Sequence, residues 1–152
     1  MKIIMRDRAV INATAEAIWK VLCNPQNMPR WNSKCLTLKS GQTNLMVGNQ
    51  FRATFRLTGP ANECTCEVME FEPARSFRLR YFDMGRGIRG EVFESFRLKS
   101  DGNRTRVWHE VDLTHAGLPW WIKPVIWLIN SIGRKSGPGP VDGLKRLVEA
   151  GN

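Results

Sequence analysis

The chain has 152 residues, 42% of them apolar and 24% charged, a composition that excludes a disordered chain. The length is typical of one domain, so residues 1–152 are predicted to form a single domain. The net charge of +9 suggests a nucleic-acid or anionic-membrane partner, although net charge does not specify a fold.

The four cysteines and two histidines do not match a metal-binding or disulfide pattern. Cys64 and Cys66 are separated by one residue, and neither His109 nor His115 follows them at zinc-finger spacing. The sequence therefore predicts no metal and no cofactor, and it favours reduced, buried thiols in a cytoplasmic protein.

Neither a signal peptide nor a membrane span is predicted. Charged residues 6–8 interrupt the apolar start of the chain. The longest apolar stretch, 118–132, contains Lys123 and is shorter than the roughly 20 residues that a spanning helix needs.

Short helices are predicted to follow the first strand. Residues 3–11 have strand character, and Thr14 suits the N-cap of a helix that carries Ile18 and Leu22 on neighbouring turns. Asn24-Pro25 begins a second short helix, which Pro29 is expected to end.

Alternating apolar and polar residues then predict about six strands between residues 34 and 114. In the first predicted hairpin, Leu57 lies opposite Cys64 and Phe55 opposite Cys66. Each pairing places apolar side chains on one face, and a slip by one residue would mix the two faces.

The turn signal Asp101-Gly102 predicts a second hairpin, in which Glu94 lies opposite His109. Both side chains then share an otherwise apolar face. A buried carboxylate is costly unless it is paired, and residues opposed across two strands are within side-chain reach. Three interpretations stay open: a structural ion pair, an anchor for a ligand, or a catalytic acid–base pair. Tyr81 is expected to share this face.

After His115 the pattern becomes helical, is interrupted at residues 136–140, and resumes from Val141 to Ala150. The resulting order is a strand, helices, a run of strands and a terminal helix. This order predicts an α+β fold in which one curved sheet folds around a helix.

Several segments resemble the START-like (SRPBCC) superfamily, which includes polyketide cyclase/dehydrase, lipid-transport and birch-pollen-allergen-like proteins. The matching segments are residues 10–19, 27–32, 47–48, 68–73, 105–107 and 143–149, in the expected order. The resemblance implies a helix-grip fold, with an antiparallel sheet of about seven strands around a long C-terminal helix and two short helices between strands 1 and 2. It also implies an apolar cavity for a lipid, polyketide or sterol-like molecule, and it supplies no invariant catalytic residue.

Candidate ligand-binding residues follow from the inward face of the predicted sheet and its covering helices. They are Trp31, Phe55, Leu57, Cys66, Phe77, Leu79, Tyr81, Glu94, Phe96, His109, Val111 and Trp127. On the residues alone a solid core is the simpler interpretation, since protein interiors are close-packed. The resemblance favours a cavity instead.

Trp120, Trp121, Lys123 and Trp127 combine interfacial aromatic residues with a basic one, as membrane-surface helices do. The favoured interpretation is that this helix packs on the sheet or gates the pocket. Transient membrane contact through Trp120, Trp121 and Lys123 is the alternative.

The predicted function is binding or transport of a hydrophobic small molecule. A polyketide cyclase, aromatase or dehydratase using Glu94 and His109 is the first alternative. Nucleic-acid or anionic-surface binding by the Arg-rich outer face is the second. Nucleic acid is not expected as a partner, because a solvated outer face explains most of the basic charge. The outward arginines are Arg52, Arg56, Arg78, Arg80, Arg97 and Arg106.

Overall fold

A computed structural model describes residues 2–42, 44–56, 60–85, 89–132 and 139–151. Their strands form one antiparallel sheet in the order β1-β7-β6-β5-β4-β3-β2. The strands are β1 (Ile4–Ile11), β2 (Cys35–Lys39), β3 (Gln50–Phe55), β4 (Asn62–Glu72), β5 (Ser76–Phe82), β6 (Val92–Asp101) and β7 (Arg104–Asp112). The helices are α1 (Ala15–Leu22), α2 (Met28–Trp31), α3 (Ile122–Ile132) and α4 (Pro140–Ala150).

The segment between β1 and β2 starts as predicted and ends differently. The side chain of Thr14 caps α1 by accepting a hydrogen bond from Ala17 N. A 3₁₀ turn, Pro25–Asn27, then leads directly into α2. The prediction that Pro29 ends this helix is wrong, because Pro29 lies in the first turn of α2, where proline is tolerated.

The β6–β7 hairpin keeps the predicted faces but has a different register. Asp101 pairs with Arg104, so Phe96, not Glu94, lies opposite His109. The turn residues are Gly102 and Asn103, and Gly102 has φ +63°, which suits the first central position of a type II′ turn. The register differs from the predicted one by two residues, and a side-chain period of two leaves each residue on its predicted face.

The β3–β4 hairpin is also displaced. Cys66 lies opposite Phe51 and Cys64 opposite Ala53, whereas pairing ends at Phe55 with Asn62. The connection is longer than predicted and contains Pro60, which has no N–H to donate to a ladder. A displacement of four residues again preserves the faces.

The core lies between the inner face of the sheet and helices α1, α2 and α4. Trp19 of α1 packs edge-on against Phe71 and Phe77, with ring centroids 5.1 and 6.1 Å away. Helix α4 contacts α2, α1 and β1, and it buries Val141, Gly143, Leu144 and Val148.

The predicted C-terminal helix is α4, which spans 11 residues. It begins at Pro140, the last residue of the break predicted at 136–140, and residues 136–138 lie outside the described part of the chain. Its contacts with the sheet include β1 and β7.

Helix α3 exposes its tryptophan side chain, as do the two residues before it, whereas Ile122 and Ile126 are half-buried. Trp120 is 82% exposed, Trp121 59% and Trp127 57%. Across the described residues, no helix is long and apolar enough to span a membrane.

The outer face of the sheet carries ion pairs between neighbouring strands. Arg52 pairs with Glu63 at 3.1 Å, and Arg80 bridges Glu67 and Glu91. These contacts place Arg52 and Arg80 in a mixed-charge outer surface, as predicted.

Candidate functional site

Three polar side chains meet in the core, and we call them the Tyr81–Glu94–His109 network. Glu94 is 4% exposed, His109 5% and Tyr81 6%. The phenol of Tyr81 donates a hydrogen bond to Glu94 Oε2, and His109 Nε2 lies 2.7 Å from Glu94 Oε1. Both carboxylate oxygens therefore have a partner, which offsets part of the cost of burying them.

Three adjacent strands position this network. Leu79 lies opposite Glu94 across β5 and β6, and Val111 lies opposite it across β6 and β7. His109 is therefore a diagonal neighbour of Glu94, a separation that long side chains bridge. The predicted contact between Glu94 and His109 is present, although the two residues are not directly opposed.

Aromatic rings enclose the network on two sides. The Phe96 ring lies 4.6 Å from the His109 ring, and Trp31 packs edge-on against Phe96 at 5.5 Å. On the other side, Phe55 packs edge-on against Tyr81 at 5.4 Å. These rings exclude water and lower the local dielectric, so hydrogen bonds within the network are strengthened.

Trp31 contributes an unsatisfied hydrogen-bond donor. The residue is 2% exposed, and its indole Nε1 has no hydrogen-bond partner among the described residues. An unpaired buried donor costs roughly 1–3 kcal/mol, so an acceptor that reached it would be bound favourably. The structure places Trp31, a predicted ligand-binding residue, in the core, on α2.

A group of thiols lies on the β2–β4 side of the network. Burial, followed by the charges of Cys64 and Glu94, raises the pKa of Cys35 to about 12. Burial also raises the pKa of Cys66, and its Sγ lies 4.0 Å from that of Cys64. Burial, followed by the charge of Glu94, raises the pKa of Tyr81 well above its ordinary value. Among the described residues, no group of His, Cys, Asp and Glu is arranged to hold a metal ion.

The structure brings most of the predicted site residues together. Trp31, Cys66, Phe77, Leu79, Tyr81, Glu94, Phe96 and His109 are buried in the core, and Phe55 and Val111 are half-buried beside it. Leu57 lies outside the described residues. Trp127 is on exposed α3, apart from the others.

Sequence reasoning missed Cys35 and Cys64 as neighbours of the network. The sequence pattern could have indicated Cys64, because it alternates onto the same face as Cys66. No sequence pattern indicated Cys35, because a β-bulge between Cys35 and Thr37 determines its position.

Two surface grooves are formed by described residues, and neither is lined by the network. One, of about 320 Å³, lies between β1 and Trp127. The other, of about 370 Å³, lies between α1 and the end of α4. The three side chains of the network are buried beneath other side chains.

The family model described as polyketide cyclase / dehydrase and lipid transport matches residues 2–134, which include the whole network. The chain belongs to this family. The resemblance proposed from the sequence is therefore confirmed. A comparison with curated proteins found no match.

Solved structures of this family's fold superpose over nearly the whole chain. TTHA0849 from Thermus thermophilus is 15% identical with a TM-score of 0.70, covering 98% of this chain and 99% of its own. Protein CV1439 from Chromobacterium violaceum is 16% identical with a TM-score of 0.69, covering 97% of each chain. Ara h 8.0201 is 11% identical with a TM-score of 0.65, covering 99% of each chain. At these identities the likeness shows the fold alone, and it confirms the α+β helix-grip prediction.

Proposed function

We propose that this member of the family binds or carries a hydrophobic small molecule between the sheet and the helices. The family and fold are consistent with hydrophobic ligand binding or cyclase-type chemistry in general. The observation that carries the proposal is the Tyr81–Glu94–His109 network, which places hydrogen-bonding groups inside an aromatic core. A site of this kind is mostly apolar, with a few polar groups that orient the ligand.

The polar groups favour a ligand with a hydroxyl or carbonyl group on an apolar skeleton. The unpaired indole N–H of Trp31 offers a donor, and the Glu94 carboxylate offers an acceptor. A lipid, a polyketide or a sterol-like molecule has this chemistry.

The first experiment identifies what co-purifies with the protein. Native mass spectrometry and organic extraction should reveal an apolar molecule on the wild-type chain. His109→Ala should reduce its occupancy. Trp108→Ala should not, because Trp108 is the neighbouring residue on β7 and is 38% exposed on the opposite face. Preparations that carry no hydrophobic molecule, and that take up no fatty acid, sterol or aromatic polyketide, would refute the proposal.

An acid–base enzyme is the second candidate, because one carboxylate here is hydrogen-bonded to both a phenol and an imidazole. In a dehydration, the Glu94 carboxylate would remove the proton on the carbon beside a carbonyl. A protonated His109 would give its proton to the departing hydroxyl, so that a C=C bond forms and water leaves. His109→Ala would then abolish turnover of a β-hydroxy carbonyl substrate, whereas in a carrier it only weakens binding.

A contact with a membrane surface belongs to the same proposal. A carrier would exchange its cargo during transient contact with a membrane surface through Trp120, Trp121 and Lys123. Nucleic-acid binding by the outer face is the other alternative. Arg80 stacks on Phe82 at 4.5 Å, which covers an aromatic ring that a base would need. Filter binding at low and moderate salt tests this alternative.

A further inference from the structure

Helix α3 and the two residues before it expose an apolar surface, which we call the tryptophan surface. It comprises Trp120, Trp121, Val125, Trp127 and Leu128, each more than half exposed. Monomeric proteins rarely leave so many large apolar side chains together in water unless the surface binds something. Within α3, Val125 and Leu128 share one side at a three-residue spacing, whereas Trp127 lies on the side that lines the groove beside β1.

We propose that the tryptophan surface docks onto an anionic lipid bilayer, with α3 lying in the plane of the headgroups. The inference deepens the proposed function, since it specifies the membrane that the carrier would contact. At 11 residues α3 is too short to cross a bilayer, for which about 20 are needed, but it is long enough to lie in the interface. Tryptophan is the residue best suited to this depth, because its ring is apolar and its N–H is polar.

The charge around this surface selects anionic lipid. Residues 113–141 contain no Asp or Glu, whereas Lys123, Arg134 and Lys135 lie among them. Acidic lipids attract basic residues placed next to an inserted apolar face. Lys123 of α3 therefore lies in a segment of apolar residues whose sequence has no carboxylate, and Arg134 and Lys135 lie outside the described residues.

A groove beside the helix adds two more basic residues. Lys2 and Arg6 line the groove of about 320 Å³ between β1 and Trp127. Arg6 is paired with Glu110 at 2.9 Å, and a second carboxylate, Asp112, lies opposite Ile4 on the neighbouring strand. Lys2 is exposed, so its ammonium group is accessible to a lipid phosphate when Trp127 is in the interface.

A second copy of the chain is the competing occupant. Docking two copies through this surface would bring their basic segments together, and like charges that face each other oppose association. A bilayer containing acidic lipid supplies the opposite charge, so the observations favour the bilayer.

The test is co-sedimentation with vesicles of phosphatidylcholine alone or mixed with phosphatidylglycerol. We expect binding to the mixed vesicles, little binding to phosphatidylcholine alone, and weaker binding as salt rises. The triple variant Trp120→Ala, Trp121→Ala, Trp127→Ala should lose binding, and Lys123→Gln should weaken it roughly fivefold. Trp108→Ala is the matched control, since it removes an exposed tryptophan from the outer sheet face and should bind as the wild type does.

Three results would overturn the proposal. They are no binding to the mixed vesicles at low salt, unchanged binding by the triple tryptophan variant, and a wild-type dimer that this variant converts to a monomer. The last would make the surface an interface between two copies. Circular dichroism confirms that each variant is folded. A protein that fails to bind vesicles but co-purifies with an apolar molecule would refute the docking and leave the carrier function standing.

Discussion

Replacing Glu94 with alanine tests whether the buried network is as interdependent as its geometry indicates. The change removes the acceptor for Tyr81 and for His109, leaving two polar groups that are 6% and 5% exposed without that partner. Removing one partner from a buried charged pair costs roughly 3–5 kcal/mol. Total stabilities are about 5–15 kcal/mol, so this single change should remove a large part of the free energy of unfolding.

The measurement is urea unfolding followed by far-ultraviolet circular dichroism, together with thermal melts. For a chain of this size, 1 kcal/mol shifts Tm by roughly 2–4 °C, so we expect a fall of about 6–20 °C. Glu110→Ala is the matched control, because Glu110 is a carboxylate of the adjacent strand β7 whose side chain is 42% exposed in its pair with Arg6. An exposed pair contributes about 0–1 kcal/mol.

A fully apolar replacement separates stability from function. In the variant Tyr81→Phe, Glu94→Met, His109→Phe no buried polar group loses a partner, and such replacements are often neutral or stabilising. We expect it to recover much of the stability lost in Glu94→Ala while failing to bind the ligand. If Glu94→Ala costs no more than Glu110→Ala, the carboxylate is not buried and shared as described, and the reasoning is wrong.

Three further predictions concern single residues. Because the folded-state pKa of Tyr81 is raised above 10.0, its stabilising contribution is complete below that pH and is lost as pH rises further. Tyr81 is the only tyrosine, so tyrosinate absorbance should appear only together with alkaline unfolding; its appearance near pH 10.0 in folded protein would contradict this. Gly143→Ala should destabilise the chain by roughly 1–3 kcal/mol in urea unfolding, since an added Cβ would lie 1.9 Å from the Trp31 carbonyl oxygen. Gly41→Ala, with nothing within 4 Å, should have little effect, and equal values would refute the close approach. The buried Cys66 thiol has a raised pKa and should resist a disulfide reagent until urea unfolds the protein; rapid labelling in the native state would contradict its burial.

The faces of the strands could be predicted from the sequence, but the pairing between strands could not. Both hairpins are displaced, by two residues at β6–β7 and by four at β3–β4, yet the paired residues that the structure describes lie on their predicted faces. Apolar alternation has a period of two and so cannot distinguish registers that differ by an even number. The position of the turn determines the register. That position depends on where the chain can adopt a positive φ, as at Gly102.

Because the faces of the strands could be predicted, the contact between Glu94 and His109 could be predicted as well. Glu94 and His109 were expected to be directly opposed, and they are in contact because a two-residue displacement leaves them as diagonal neighbours on one face. The hydrogen bond from Tyr81 needed the further pairing of β5 with β6, which no local pattern specifies.

For α3, the composition predicted an apolar helix but did not predict where that helix lies. An apolar helix of 11 residues satisfies the sequence pattern equally well on a sheet or at an interface, because hydrophobicity is non-directional. The choice between these two positions depends on whether the inner face of the sheet is still available for packing. Helices α1, α2 and α4 already cover its inner face, burying Ile18, Trp31 and Leu144. Among the described residues, Trp120, Trp121 and Trp127 lie outside that core and more than half exposed, in a segment whose sequence has no carboxylate, which is the pattern expected of a surface that binds a partner.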